Sequence, residues 1–139
     1  VAAGVSCVIK HMRPDVKVIG VQPEHANAAY VSRQKGEPTA IDYWDSIADG
    51  LSARRPGERP FAHIQEYLDD IVLVSEADIG RAFEVLLTRT KMLGEAAGVV
   101  ASAAFLADKV DTSLKTVAAL TGGNLSKDSI DKLKALAVQ

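Results

Sequence analysis

The segment Thr116-Val117-Ala118-Ala119-Leu120-Thr121-Gly122-Gly123-Asn124 ends a mainly apolar run on a hydroxyl, two glycines and an amide. It reads as a short buried strand followed by a turn. In an open α/β sheet, ligands bind just beyond the carboxyl ends of the strands. A hydroxyl there, with glycines that let backbone approach a ligand closely, is a candidate site. The alternative is a strand-end threonine that serves its own turn. Glu95 has the same double character: a carboxylate at a helix start gains from the positive end of the dipole whether or not it meets a ligand. Cys7, among Val5, Val8 and Ile9 in a helical pattern, reads as a packed thiol rather than a nucleophile. His11, Met12 and His63 carry no ligand spacing, and the nine lysines sit in surface-like contexts.

The elements that position these residues alternate. Residues 1–12 read as a helix ending near Arg13-Pro14, since proline disfavours a helical residue before it. Val16 to Val21 reads as a buried β-branched strand, and His25 to Lys35 as a helix closed by Gly36. Residues 36–60 are loop-like and hold the only tryptophan, Trp44, with the turn Ala48-Asp49-Gly50, which Asp49 braces. Phe61 to Tyr67 suits a short helix and Ile71 to Val74 a second strand. Ser75 with Asp78 makes a near capping box before Ile79, Ala82, Phe83, Leu86 and Leu87, one apolar face. Small residues fill a central helix from about Glu95 to Leu106. The third strand, Thr116 to Thr121, precedes a helix capped by Ser126 with Ile130, Leu133 and Leu136 inward.

Strands separated by helices, with no hairpin turns, predict an α/β fold: a three-layer parallel sheet flanked by helices. Three strands are few for an independent sheet. The chain also opens in mid-helix with no initiator Met and no cap residue, so residues 1–139 are expected to form a single partial domain of a longer polypeptide.

Composition narrows the function. A net charge of −2 with dispersed Lys and Arg leaves no nucleic-acid footprint. The densest basic run, Arg54 to Arg59, contains Pro, Gly and Glu and reads as an exposed loop. No run approaches the roughly 18 apolar residues of a membrane span, and no leader pattern is present. One cysteine fits a reducing, cytoplasmic setting.

Five segments together resemble one family. Val18-Ile19-Gly20-Val21-Gln22-Pro23, Ser46-Ile47-Ala48-Asp49-Gly50-Leu51, Asp69-Asp70-Ile71-Val72-Leu73-Val74-Ser75-Glu76, Gly94-Glu95-Ala96-Ala97-Gly98 and Leu120-Thr121-Gly122-Gly123-Asn124 are similar, in order and spacing, to motifs of the threonine dehydratases and serine racemases, the fold-type II pyridoxal-phosphate enzymes. The resemblance covers nearly the whole chain. It implies the C-terminal portion of the catalytic domain, beginning just after the glycine-rich phosphate loop. The cofactor is then pyridoxal 5′-phosphate, and the parent enzyme is an ammonia-lyase turning a hydroxy amino acid into a 2-keto acid and ammonia. The resemblance places Thr121 and Gly122 at the cofactor, the hydroxyl against the pyridine nitrogen. It puts Glu95 in the pocket near the ring and Gly50 with its backbone toward the ring face. The lysine that binds the cofactor covalently lies outside this chain, which therefore carries no catalytic residue of its own.

One departure concerns metal. Serine racemases and some dehydratases bind a divalent cation with a Glu before the proline and an Asp six residues later. Gln22 and Ala28 stand there, and a hard cation wants carboxylate oxygens, so no metal site is expected. Glu24 and His25 read as a solvated helix start. The other partners expected are a small hydroxy amino acid, no nucleic acid, no membrane, and further copies in a full-length homo-oligomer. Three other readings stay open: a racemase, a module binding phosphate at Gly122-Gly123-Asn124, and an interaction domain without ligand.

Overall fold

The computed structural model describes residues 1–138. Its sheet has two parallel strands, β1 (Ile19–Pro23) and β2 (Asp70–Val74), paired from Ile19 opposite Asp70 to Pro23 opposite Val74. Around it lie α1 (Ala2–Met12), α2 (Ala28–Lys35), α3 (Glu58–Tyr67), α4 (Glu76–Val85), α5 (Ala96–Leu106) and α6 (Lys127–Leu136). A 3₁₀ turn, Asp49–Leu51, interrupts the long loop, and a π-helical turn, Leu86–Thr90, follows α4.

Local chemistry sets the helix ends. Ser75 Oγ accepts from Asp78 N at 3.1 Å while Asp78 Oδ2 accepts from Ser75 N at 2.9 Å, a complete capping box. Gly36 ends α2 at φ 75°, the left-handed conformation that glycine adopts without penalty. Ser126 Oγ accepts from Ser129 N at 3.1 Å and opens α6.

The main core lies where α4 and α5 meet the sheet and α6. Val74, Ile79, Ala82, Phe83, Val99, Ala103, Ala104 and Leu133 are all buried there. Ile79, Ala82, Phe83 and Leu133 lie on the faces the periodicity marks as inward, whereas Leu86 and Leu87, in the π turn, are only partly buried. Small residues on α5 let it approach its neighbours closely. Ile64, Leu68 and Ile71 form a second cluster beneath α3.

The expected parallel α/β arrangement is present, with α3 beginning at Glu58 rather than Phe61 and with three further differences. β1 starts three residues late because Val16 to Val18 is occupied otherwise. Lys10 Nζ donates to Val16 O at 2.8 Å, and Asp69 Oδ2 accepts from Val18 N at 2.6 Å. Lys10 also pairs with Asp69 Oδ2 at 2.8 Å, so it is a tie between α1 and the sheet entry rather than a surface lysine. Second, α2 begins at Ala28 rather than His25, because residues 24–26 turn back and Ala26 N donates to Pro23 O at 3.1 Å.

Third, the strand expected over Thr116 to Thr121 does not form. Pairing requires a ladder partner, and this segment meets α5 instead: Thr121 N donates to Gly98 O at a long 3.4 Å. Residues 116–119 are exposed, Val117 at 92%, so the buried-strand expectation fails there.

Candidate functional site at the start of α5

The first turn of α5 gathers the residues singled out in the sequence. Glu95 precedes the helix in extended conformation, and its carbonyl accepts from Gly98 N at 2.8 Å and Val99 N at 3.1 Å. The half-buried Glu95 side chain lies against Gly122, where a Cβ would run into its carboxyl carbon and one carboxyl oxygen. Gly122 also has φ 69°, so both space and backbone demand glycine there. One residue back, the Thr121 carbonyl occupies the space a Cβ on Gly98 would need. Leu120 is partly buried over Gly94, where an added Cβ would stand 2.5 Å from Leu120 Cδ1. Residues 120–122 are thus laid across the beginning of α5.

The long loop completes the cluster from the other side. A Cβ on Gly50 would lie 3.1 Å from Ala97 Cβ, so the Asp49–Leu51 turn sits on the same helix start. Gly50 N donates to Asp49 Oδ1 at 2.7 Å, the bracing expected of Asp49. Gly50, Thr121 and Gly122 are exposed. Among the described residues, neither the Thr121 hydroxyl nor the Glu95 carboxylate makes a hydrogen bond. By contrast, Thr116 Oγ1 serves its own turn, donating to Leu114 O at 3.0 Å. Gly50, Glu95, Thr121 and Gly122 therefore come together around one helix start, with a free hydroxyl, a free carboxylate and open backbone.

A residue not singled out in the sequence holds this arrangement in place. Glu76, in the first turn of α4, accepts from Ser46 Oγ at 2.6 Å and Ile47 N at 2.9 Å. Ser46 Oγ in turn accepts from Ala48 N at 3.1 Å, and Ala48 is fully buried. One carboxylate thus fixes the loop leading into Gly50. Its sequence signals are its place at the end of the Asp69–Glu76 motif and its acidity just after an N-cap; the partners lie about thirty residues upstream.

Other titratable groups serve the frame. Burial alone would raise the Asp78 carboxyl, but the Ser75 N–H and hydroxyl and the Arg81 guanidinium outweigh it and hold the group below its ordinary range. Lys10 is the main cause of a lowered Asp69, helped by Val18 N–H. The Nδ1 of His11 donates to Cys7 O at 2.7 Å and that of His63 to Arg59 O at 3.1 Å, both back onto their own helices. The exposed Arg54 stands over Trp44 at 5.1 Å and serves the loop internally, through Ile41. Ser126 already takes the N–H a ligand would seek at the α6 start, which weakens a phosphate nest leading into that helix.

Comparison with known proteins shows the family. Residues 1–122 match the family model described as pyridoxal-phosphate dependent enzyme. The chain belongs to this family. It is 40% identical over 129 residues to an L-threonine ammonia-lyase of Geobacter sulfurreducens, covering 92% of this chain and 32% of that protein. It is 37% identical over 134 residues to the catabolic L-threonine dehydratase of Escherichia coli K12, covering 94% of this chain and 41% of the relative. The chain thus spans about a third to two-fifths of the curated relatives it matches. Among solved structures, the processed threonine deaminase isoform 2 of Solanum lycopersicum superposes with TM-score 0.89 at 29% identity, covering 99% of this chain and 41% of that one. Serine racemase of Dictyostelium discoideum gives TM-score 0.81 at 29% identity, over 90% of this chain and 40% of that one. The fold around the α5 start is therefore that of fold-type II pyridoxal-phosphate enzymes. Among the described residues, no helix is long and apolar enough to cross a membrane.

Proposed function

We propose that this chain is the C-terminal part of the catalytic domain of a threonine or serine dehydratase, and forms one wall of its pyridoxal-phosphate pocket. The observation that carries the reading is the meeting of Gly50, Glu95, Thr121 and Gly122 at the start of α5. These residues fit the cofactor: glycines leave backbone open to a flat ring, and the hydroxyl and carboxylate have no partner among the described residues. Bound pyridoxal phosphate supplies an electron sink for negative charge at the substrate α-carbon.

Thr121 offers the ring nitrogen a neutral hydroxyl. A carboxylate there would hold a proton on that nitrogen by charge pairing, whereas a hydroxyl leaves the sink weaker and favours prompt loss of the β-hydroxyl over transamination. Glu95 borders the ring from the helix start, and Gly50 presents backbone to its face. The lysine and phosphate loop belong to the rest of the polypeptide, so this chain alone is expected to be inactive. The reading extends to a cytoplasmic homo-oligomer in amino-acid metabolism, isoleucine biosynthesis included. Likeness to a serine racemase keeps racemisation as the second reading.

The test uses the complete polypeptide. Added pyridoxal phosphate is expected to give an absorption band at about 410–420 nm, as lysine–cofactor chemistry implies, and L-threonine or L-serine to yield a 2-keto acid with ammonia. Accumulation of D-serine with little keto acid would favour the racemase. No band would sink both.

A further inference from the structure

Position 22 carries an amide where the family resemblance implies a metal-binding carboxylate. Its two ends are assigned by their partners: Gln22 Oε1 accepts from Tyr30 N at 2.9 Å, and Gln22 Nε2 donates to Ala26 O at 3.2 Å. A backbone N–H only donates and a carbonyl only accepts, so the amide has one orientation. It spans the turn between β1 and α2, where Ala26 N also donates to Pro23 O at 3.1 Å and Glu24 N to Val74 O at 2.9 Å. Ala28, the second metal position, is a buried methyl at 2% exposure. The exposed Glu24 and His25 flank the turn, and the His25 ring stands edge-on to Tyr43 at 5.6 Å. Among the described residues, no group of three His, Cys, Asp or Glu side chains is placed to hold a metal.

A carboxylate in place of this amide would set an oxygen against Ala26 O, acceptor facing acceptor. Such a pair has no hydrogen to share, and a bound cation is one way to hold its members together. The amide N–H₂ supplies hydrogen there instead. We infer that the Gln22 side-chain amide replaces a divalent cation in this chain, closing the β1–α2 turn with two hydrogen bonds and making the turn independent of metal. The donor set does not fit the cation that the family resemblance implies.

The inference needs neither cofactor nor activity, so it stands or falls separately from the dehydratase reading. The complete polypeptide is melted in EDTA, in magnesium chloride and in calcium chloride. Wild type is expected to melt at one temperature in all three. Gln22→Ala is expected to melt about 3 °C lower, the scale of a lost hydrogen bond in a protein of this size, with no recovery on adding either cation. Gln22→Glu with Ala28→Asp is expected to melt low in EDTA and to recover with calcium. A wild-type protein that loses stability in EDTA overturns the inference, and so does a Gln22→Ala variant that melts like wild type. If the double variant fails to fold, those two measurements decide.

Discussion

Gly98 and Thr121 meet backbone to backbone: the Thr121 carbonyl fills the space of a Gly98 side chain, and Thr121 N donates to Gly98 O at 3.4 Å. The position of the candidate cofactor contact is therefore set by the absence of one methyl group on α5. Gly98→Ala must push residues 120–122 away from the helix. Overpacking of this kind costs about 1–3 kcal/mol. Denaturant unfolding is expected to show that loss, and titration with pyridoxal phosphate a weaker affinity.

Glu76 gives a second prediction. Glu76→Ala strips partners from Ser46 Oγ and Ile47 N, both partly buried. The loss is about 1–3 kcal/mol for groups left unsatisfied. Because the loop leads to Gly50, cofactor affinity is expected to fall in the same variant, read by fluorescence titration. Stability lost with affinity unchanged would remove Glu76 from the positioning of the site.

The α4–α6 contact depends on Gly80. A Cβ there would stand 2.7 Å from both Ala137 N and Leu136 Cβ. Gly80→Ala is expected to destabilise by about 1–3 kcal/mol through overpacking, despite the better helix propensity of alanine. Thermal unfolding checks the sign, since a gain would mean that α6 can shift away freely.

Stability should depend on acid through Asp69. Lys10 and Val18 N–H hold its carboxyl below the ordinary value, so its contribution is complete above the unfolded carboxylate range near about 4. It is lost as pH falls through the depressed native value. Asp69→Asn is expected to be less stable than wild type at pH 7, with the gap narrowing on acidification below that range. Urea midpoints across pH read it directly, and a gap that stays constant would contradict the pairing.

Where structure is local, the sequence was sufficient. The Ser75–Asp78 box, the Gly36 stop and the Ser126 cap each involve residues three or fewer apart or a single backbone conformation. The small residues of α5 likewise announced a buried helix. The β1 boundary was harder, because the competitors for Val16 and Val18 are Lys10 and Asp69, the latter 51 residues from Val18. The mainly apolar run from Thr116 to Thr121 reads as a buried strand, yet a strand exists only with a partner. The candidate site residues are legible through their place among five motifs in register. Their common ground at the α5 start is not, since the closeness of Gly98 to Thr121 and of Gly122 to Glu95 comes from three-dimensional packing. Glu76 and Gln22 escaped as holders of their loops because their roles lie in which backbone groups they reach.

The central claim is that Thr121 presents a neutral hydroxyl to the ring nitrogen of pyridoxal phosphate. The ¹⁵N chemical shift of that nitrogen, in labelled cofactor bound to the complete polypeptide, tests it most directly. An unprotonated nitrogen is expected in wild type and a protonated one in Thr121→Asp. A protonated nitrogen in wild type, or one whose shift ignores the substitution, would contradict the placement of Thr121.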